Sequence, residues 1–316
     1  MTANGVAGVA AGILRITFAL PLGIDHVHCY ALQREDGSWL VIDTGLGVPD
    51  AQARWRSVLQ EHDLRVARIV ITHFHPDHVG AAAPLAELTG AHVHQGAVDY
   101  AQCVRAWGGE QSFERLVAYM REHGLPAEEA EQLRVDGNRL ARFVHYVRDP
   151  EPLAPGDDVD GWDVLHLPGH ADGHLCLLRD GVLIAGDALL ATITPNVGLY
   201  PEARPDPLGD YLDSLSRIVE LAPATAYAGH GDTIEDPPQR ARDLIDHHHE
   251  RLARTREALS EEPRTAYDVS LTLFPGTLTP VLRRFALAES RAHLEYLALR
   301  DQAARSEGDG RVGYHG

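Results

Sequence analysis

The chain has 316 residues, which is enough for one large domain and a smaller second one. Its 46 acidic residues outnumber the 28 basic residues, all of them arginine, and the formal net charge of -18 gives nucleic acids and anionic membranes no long-range attraction. With 44% hydrophobic and 23% charged residues the composition is that of a globular protein, and no apolar stretch is long enough to span a membrane.

The amino-terminal part alternates strand and helix patterns. The apolar run 6–24 has no basic start and contains Arg15, so it predicts a hairpin rather than a signal peptide. The chain has three scattered cysteines and no CxxC pair. Together with the absence of a signal-peptide pattern in this run, the cysteines indicate a cytoplasmic protein. Helical spacing predicts one helix over 49–62 and another from Pro76 towards Leu88. Alternating or apolar runs predict strands at 13–20, 26–33, 38–43, 67–72 and 92–94.

Residues 96–148 interrupt this rhythm. They predict about three amphipathic helices, which we interpret as an insertion that forms either a lid over the substrate or a dimer surface. After the insertion, strands are predicted at 163–167, 175–178, 182–185 and 225–228, and helices at 206–221 and 237–259. Beyond Pro263 the pattern predicts a helix, a short helix and another helix before a glycine-rich end.

The segment THFHPDHVG, residues 72–80, places four good metal ligands directly after a buried strand. His73 and His75 lie two apart in an extended turn and can bind one cation together. Asp77 and His78 fall on the first turn of the next helix and face a second position. Imidazole and carboxylate are ligands of borderline divalent metals such as zinc, so the motif predicts a metal site at this strand end.

Three further strand ends each carry a candidate ligand beside glycine. His170 lies in LPGHADGH, Asp187 in LIAGDALL and His230 in AYAGHGD. Loops that follow the strands of a layered α/β fold gather at one edge of the sheets. We therefore expect these three side chains to complete the site begun by residues 72–80.

This ordered set resembles the metallo-beta-lactamase fold superfamily, from Asp43 in IDTG to the GHG around His230, over about residues 10–235. The resemblance implies an α/β fold with four layers, an αββα sandwich that here carries a helical insertion. It implies that Asp43 orients a ligand from behind the metal site. The implied ligands are His73, His75 and His170 for one metal, Asp77, His78 and His230 for the other, and Asp187 as the bridge between them.

Two divalent metals, Zn²⁺ or else Mn²⁺ or Fe²⁺, imply hydrolytic chemistry. They would share a bridging hydroxide as nucleophile and polarise the oxygen under attack. Asp77 would take the proton as the tetrahedral intermediate collapses, and Asp187 would hold the two metals together. His174, the second histidine of PGHxxGH, is a further candidate for catalysis, with a structural role equally open.

Differences within the superfamily narrow the reaction. Beta-lactamases of this fold carry Cys or Ser where this chain has Asp187, and acyl-homoserine lactonases usually carry Tyr where it has Leu190. Glyoxalase II and related thioester hydrolases keep the full ligand set. We therefore predict hydrolysis of a thioester or ester, such as an acyl group on coenzyme A or a carrier protein. A mononuclear iron persulfide dioxygenase stays open, because such members have a related motif.

The tail resembles the small winged-helix-type domain of one lactamase-like branch, which includes an endoribonuclease and thioesterases. We predict a superfamily domain over 1–240 and a winged-helix-like domain over 241–316. A single-strand endoribonuclease is the alternative enzyme, although the second segment, with 11 Arg against 12 acidic residues, lacks the basic surface of a nucleic-acid module. A noncatalytic ligand sensor is disfavoured, because loss of catalysis should relax the ligand set.

The remaining predictions concern binding. His28 and Tyr200 are candidates for contacts with the substrate. Residues 247–249 (HHH) lie on a polar helix and are expected to face solvent. The expected partner is a small acyl substrate, with no membrane, with nucleic acid disfavoured, and with a homodimer left open.

Overall fold

The computed structural model describes residues 5–21, 25–109 and 112–316. Its strands are β1 (Gly5–Ala10), β2 (Ile13–Ala19), β3 (His26–Gln33), β4 (Trp39–Ile42), β5 (Val66–Ile71), β6 (His92–Gly96), β7 (Glu151–Leu153), β8 (Asp158–Val159), β9 (Trp162–His166), β10 (Leu175–Arg179), β11 (Val182–Gly186), β12 (Thr225–Ala228), β13 (Arg264–Thr265), β14 (Ala304–Gly308) and β15 (Arg311–His315). Its helices are α1 (Ala51–Glu61), α2 (Pro76–Val79), α3 (Ala82–Thr89), α4 (Ala97–Trp107), α5 (Ser112–Glu122), α6 (Ala127–Ala141), α7 (Pro207–Leu221), α8 (Pro237–Glu257), α9 (Ala266–Leu273) and α10 (Pro280–Ala298). Across these described ranges, no helix is long and apolar enough to cross a membrane.

Two sheets form the centre of the fold. The seven-stranded sheet has the order β1 to β7, antiparallel up to β4 and parallel from β4 onward. The five-stranded sheet has the order β12-β11-β10-β9-β8, in which β11 and β12 are parallel. The strands predicted from alternating patterns in both sheets are confirmed. The short strands β7 and β8 carry too little pattern to be predicted.

The sheets stack with helices on their outer faces. Successive side chains of a strand point to opposite faces, so Ile69 and Ile71 pack with Trp55 of α1 while Val70 packs against Val164 of the other sheet. The outer face of the second sheet packs on α7 and α8 through residues such as Leu183, Leu215 and Leu244. The predicted αββα architecture is confirmed.

The helix predicted as one element from Pro76 towards Leu88 is interrupted after Val79, so that prediction is wrong in part. The carbonyl of Gly80 accepts the N–H of His145 at 2.7 Å, and the N–H of Ala81 donates to Gly45 at 2.9 Å. These bonds take the backbone groups that would have continued the helix. A Cβ at Gly80 would lie 2.8 Å from the nitrogen of Gly47, so only glycine permits this approach.

The insertion forms the three predicted helices, α4 to α6. Met120 is fully buried and packs in one cluster with Leu133 of α6 and Leu287 of α10. Trp107 packs against the main core, and its indole N–H donates to the carbonyl of Phe74 at 2.8 Å. These two side chains are used within the chain, and whether the insertion forms a lid or a dimer surface stays a prediction.

The carboxy-terminal segment has the order α8-β13-α9-α10-β14-β15, with a sheet of order β13-β15-β14. Two helices, not three, follow Pro263, and the glycine-rich end is a hairpin. Its turn residues Asp309 and Gly310 have φ of 51° and 70°, which suits a two-residue turn between antiparallel strands. The winged-helix assignment stays a prediction, as does the domain boundary after residue 240, which falls in the first turn of α8.

The histidines at 247–249 do not all face solvent. His248 is fully buried, and its Nδ1 lies 3.3 Å from Nε2 of His293 on α10. Only one face of α8 contacts α10, so consecutive positions differ in burial and His249 remains exposed. The expectation of a solvated face is therefore wrong for His248.

Candidate metal centre

The predicted ligands lie together because each follows the carboxyl end of a strand. Residues 73–78 follow β5, His170 follows β9, Asp187 follows β11 and His230 follows β12. Their ligand atoms form three overlapping groups, each with all its atoms within 4.8 Å of one another. The groups found among the described residues are His73, His75 and His170; His73, His78 and Asp187; and Asp77, His78 and His230.

The carboxylate of Asp187 lies between the other ligands. Its Oδ1 is 3.5 Å from Nε2 of His78, and its Oδ2 is 3.2 Å from Nε2 of His230. The same Oδ2 is 3.7 Å from Nε2 of His170, which belongs to the first group. One buried side chain therefore faces both predicted metal positions.

The groups fit a cation by their unsatisfied atoms. Nε2 of His78, His170 and His230 and Oδ1 of Asp187 are buried and have no hydrogen bond of acceptable geometry. Buried polar atoms without a partner are rare in folded proteins, and four of them converging on one place suit the binding of a cation. Imidazole nitrogen and carboxylate oxygen are donors that divalent metals accept.

The charges agree with this interpretation. Burial lowers the pKa of His73 and His75 well below the usual range, which leaves neutral imidazoles ready to donate a lone pair. Burial opposes the charge on Asp187, yet the neighbouring His230 and His78 hold the pKa of its carboxyl well below normal. Burial would lower the pKa of His230, but the carboxylates of Asp187 and Asp77 raise it to about 10. The buried carboxylates are therefore stabilised by a positive charge beside them, which a proton or a metal can supply.

Asp43 fixes the imidazole of His78 on the side that faces away from the other ligands. Its Oδ1 accepts the N–H of Thr72 at 2.8 Å, and its Oδ2 accepts the Thr72 hydroxyl at 2.7 Å. Nδ1 of His78 lies 2.8 Å from the same Oδ2, so the imidazole donates there and turns its Nε2 towards Asp187. Asp43 has φ of 59°, a left-handed conformation that costs free energy and that these contacts maintain.

Two other imidazoles are fixed by backbone carbonyls. Nδ1 of His170 donates to the carbonyl of Asn196 at 2.8 Å, and Nδ1 of His230 donates to that of His26 at 2.6 Å. Each bond assigns a proton to Nδ1 and turns Nε2 towards the centre, where a metal can take the place of a second proton.

His174 lies behind the ligands. Its ring stacks on that of His73 with centroids 4.8 Å apart, and its Nε2 accepts the N–H of Asp187 at 3.1 Å. Its Nδ1 lies 3.6 Å from Sγ of Cys176. Both ring nitrogens are occupied by the protein, so the geometry gives His174 the part of an anchor for the Asp187 backbone.

The two predicted substrate residues differ in placement. Both nitrogens of His28 are occupied, by the Thr17 hydroxyl at 3.0 Å and by the carbonyl of Gly231 at 2.9 Å. His28 thus supports the loop that carries His230. The Tyr200 hydroxyl donates to Oδ1 of Asn196 at 3.3 Å and lies beside the loop that holds His170.

Sequence reasoning missed two supports of the site. Asp99 is fully buried and accepts the N–H of Phe74, between two predicted ligands, at 2.9 Å, and burial raises the pKa of its carboxyl to about 8. Asn196 holds His170 through its main chain. Neither residue has a motif spacing that would have singled it out. Gly229 is a third constraint, since a Cβ there would lie 2.3 Å from Oδ1 of Asp187.

Comparison with known proteins shows which families and structures this chain is similar to. The profile of the metallo-beta-lactamase superfamily matches residues 22–230, and that of a metallo-beta-lactamase-like carboxy-terminal domain matches residues 252–315. A probable metallo-hydrolase of Bacillus subtilis is 27% identical over 96% of this chain and 97% of its own length. An atrochrysone carboxyl ACP thioesterase of Passalora fulva is 24% identical over 87% of this chain and 69% of its own. The crystal structure of a metallo-beta-lactamase family protein of Thermus thermophilus, 37% identical, superposes with a TM-score of 0.84 over 98% of this chain and 99% of that one.

Proposed function

The chain belongs to the metallo-beta-lactamase superfamily, and from that premise we propose that this metallo-hydrolase uses two divalent metals to cleave acyl thioesters. The observation that carries the proposal is the position of Asp187, whose two oxygens face both groups of imidazoles. A carboxylate in that position suits a bridge between two cations.

We assign the ligands as the resemblance implies. One metal would be held by His73, His75 and His170, the other by Asp77, His78 and His230, with Asp187 shared. Zinc fits this donor set, and manganese or iron would also be accepted. When bound, the metals supply an activated water and polarise the carbonyl oxygen of the substrate.

Asp77 is assigned the proton transfer. Its side chain is 15% exposed, against 7% for Asp187 and 3% for Asp43, so it is the site carboxylate most open to an arriving substrate. Burial alone would raise its pKa, but the neighbouring His78 and His230 lower it to about 2. Asp77 is therefore ionised at neutral pH, which is the state that a proton acceptor must have. His174, by anchoring Asp187 through its N–H, would keep the bridge in place.

Two observations support the thioester assignment, a sequence similarity and the identity of one residue. The similarity to a fungal acyl-carrier thioesterase spans most of the chain, and the bridge position holds Asp187 in place of the Cys or Ser of beta-lactamases. A small acyl substrate on coenzyme A or a carrier protein suits this site.

Two arginines of helix α10 argue against the endoribonuclease alternative. Arg283 and Arg291 are 6% and 9% exposed, and their guanidinium groups lie over the rings of Tyr267 and Tyr119 at 5.9 and 4.5 Å. Cations held in this way within the chain are not presented to a phosphate backbone.

The test compares the two substrates on one preparation. Protein loaded with zinc, manganese or iron is assayed on a panel of acyl-coenzyme A thioesters and on labelled single-stranded RNA, each at two salt concentrations. We expect kcat/KM on a thioester to depend on metal and to change little with salt. RNA cleavage that weakens steeply with salt beside inert thioesters would favour the nuclease. One iron per chain with oxygen uptake on a persulfide would favour the dioxygenase.

A further inference from the structure

The segment 196–200, which we call the His170 support loop, connects the metal centre to the carboxy-terminal helix α10. Its first residue, Asn196, accepts the Nδ1–H of His170 with its main-chain carbonyl. The orientation of His170 therefore depends on where this loop lies.

Helix α10 holds the loop by its side chains and its backbone. Nδ2 of Asn196 donates to Oε2 of Glu289 at 3.2 Å and approaches the carbonyl of Phe285 at 3.4 Å. The N–H of Leu199 donates to the carbonyl of Ala288 at 3.1 Å. A Cβ at Gly198 would lie 3.0 Å from Cβ of Ala288, so loop and helix are in close contact.

Two tyrosine hydroxyls fix the loop further, one from within the loop and one from α5. The Tyr200 hydroxyl donates to Oδ1 of Asn196, and the Tyr119 hydroxyl of α5 donates to the carbonyl of Leu199 at 2.8 Å. Asn196 thus has both of its side-chain polar atoms engaged while its carbonyl serves His170. Glu289, only 8% exposed, contributes the carboxyl oxygen that accepts the Asn196 amide.

We propose that Glu289 of the carboxy-terminal helix, acting through Asn196, is a positioning residue for His170 and sets the affinity of the His73, His75 and His170 group for its metal. The inference rests on the proposed two-metal centre. Partners that orient a metal-binding histidine typically change metal affinity by about 10–100-fold when they are removed. Because Glu289 is connected to His170 and not to Asp77 or His78, the effect falls on one of the two metals.

The test measures metal binding without substrate. In Glu289→Ala, a chromogenic chelator that competes for zinc should show one equivalent bound about 10-fold more weakly or worse, and the other as in the original protein. Cobalt titration should show the absorption of one site altered. Glu289→Gln keeps an oxygen that accepts the Asn196 amide, so it should restore both readouts.

Glu295 gives a matched control on the same helix. It is also 8% exposed, and its side chain accepts from the Tyr314 hydroxyl at 2.6 Å and from Arg291 at 3.5 Å rather than from a residue of the loop. Glu295→Ala should lower the thermal midpoint and leave both metal affinities unchanged. If Glu289→Ala does not fold, Asn196→Ala, which keeps the carbonyl but loses the amide, should show the same weakening of one equivalent.

The outcomes separate this inference from the proposed function. Two equivalents bound by the variant as tightly as by the original protein would overturn the inference alone. Equal weakening of both equivalents in Glu289→Ala and Glu295→Ala would show a general structural effect and would also overturn it. One equivalent in the original protein would overturn the two-metal proposal and this inference with it.

Discussion

Replacing Asp43 with alanine removes the acceptor of three hydrogen bonds that converge on one fully enclosed carboxylate. The donors are the N–H and the hydroxyl of Thr72 and Nδ1 of His78. These donors lie in the interior, since the side chain of Asp43 is 3% exposed and that of His78 is fully buried. The variant therefore loses the support of a predicted metal ligand and leaves buried donors unpaired.

The magnitude follows from the donors left behind. The Thr72 hydroxyl also lies 3.0 Å from Nδ1 of His73 and keeps that partner, so two donors remain, the Thr72 N–H and His78 Nδ1. A buried donor without a partner costs about 1–3 kcal/mol, so together they cost about 2–6 kcal/mol. That is a large part of the 5–15 kcal/mol by which a typical domain is stable. Metal affinity should also fall by about 10–100-fold, because His78 is no longer held in its orientation.

The assay is guanidinium unfolding of metal-free protein followed by tryptophan fluorescence, with zinc affinity measured in parallel by chelator competition. In both assays Asp43→Asn should give values between those of the original protein and Asp43→Ala, since its amide oxygen still accepts one bond. Asp158→Ala is the control, because Asp158 accepts the N–H of Gly161 at 3.1 Å in a turn where both residues are exposed and water can take its place. An unchanged denaturation midpoint together with unchanged zinc affinity in Asp43→Ala would refute the reasoning.

Three further predictions follow from the structure. Asp187→Ala should lower kcat/KM on the best substrate by about three orders of magnitude or more, since it removes the bridge, while the exposed His249→Ala should retain activity; equal behaviour would disprove the assignment. Burial lowers the pKa of His248 to about 2 and of His293 to about 4, so below pH 6.5 only the unfolded chain takes up these protons. Stability should therefore fall as pH drops from 6.5 towards 4, by about 1 kcal/mol per pH unit for each residue, and His248→Leu should flatten the slope in denaturant unfolding measured at a series of pH values. Gly310→Ala, at φ of 70°, should cost about 1 kcal/mol in the same unfolding assay, and a neutral result would contradict the hairpin turn.

Much of this fold could be predicted because its signals are local. The run around Ile69 to Ile71 alternates between two buried faces, and the ligands of residues 73–78 stand next to it in the chain. Asp187 and His230 could be found because each follows a short apolar strand and a glycine. Spacing along the chain carries this information without any knowledge of tertiary contacts.

The parts that could not be predicted depend on contacts between distant residues. Asn196 and Glu289 are 93 positions apart, and nothing in either neighbourhood indicates that they meet. The break after Val79 arises from bonds to Gly45 and His145, which the helical pattern does not show. His248 is buried because α10 covers one side of a polar helix. The sequence pattern of each element says little about which face its partner will occupy.

The shared core of the insertion and the carboxy-terminal segment has a consequence for how the protein is made. Met120 and Leu133 leave the ribosome long before Leu287 and Tyr314, with which they form one cluster. The apolar face of α5 and α6 therefore stays uncovered until the segment that contains Leu287 and Tyr314 has been synthesised. We expect this interval to be the period in which the nascent chain most needs a chaperone. A stop codon shortly before residue 312 should accordingly yield an aggregating product, since it leaves out β15 and the buried side chains of Val312 and Tyr314.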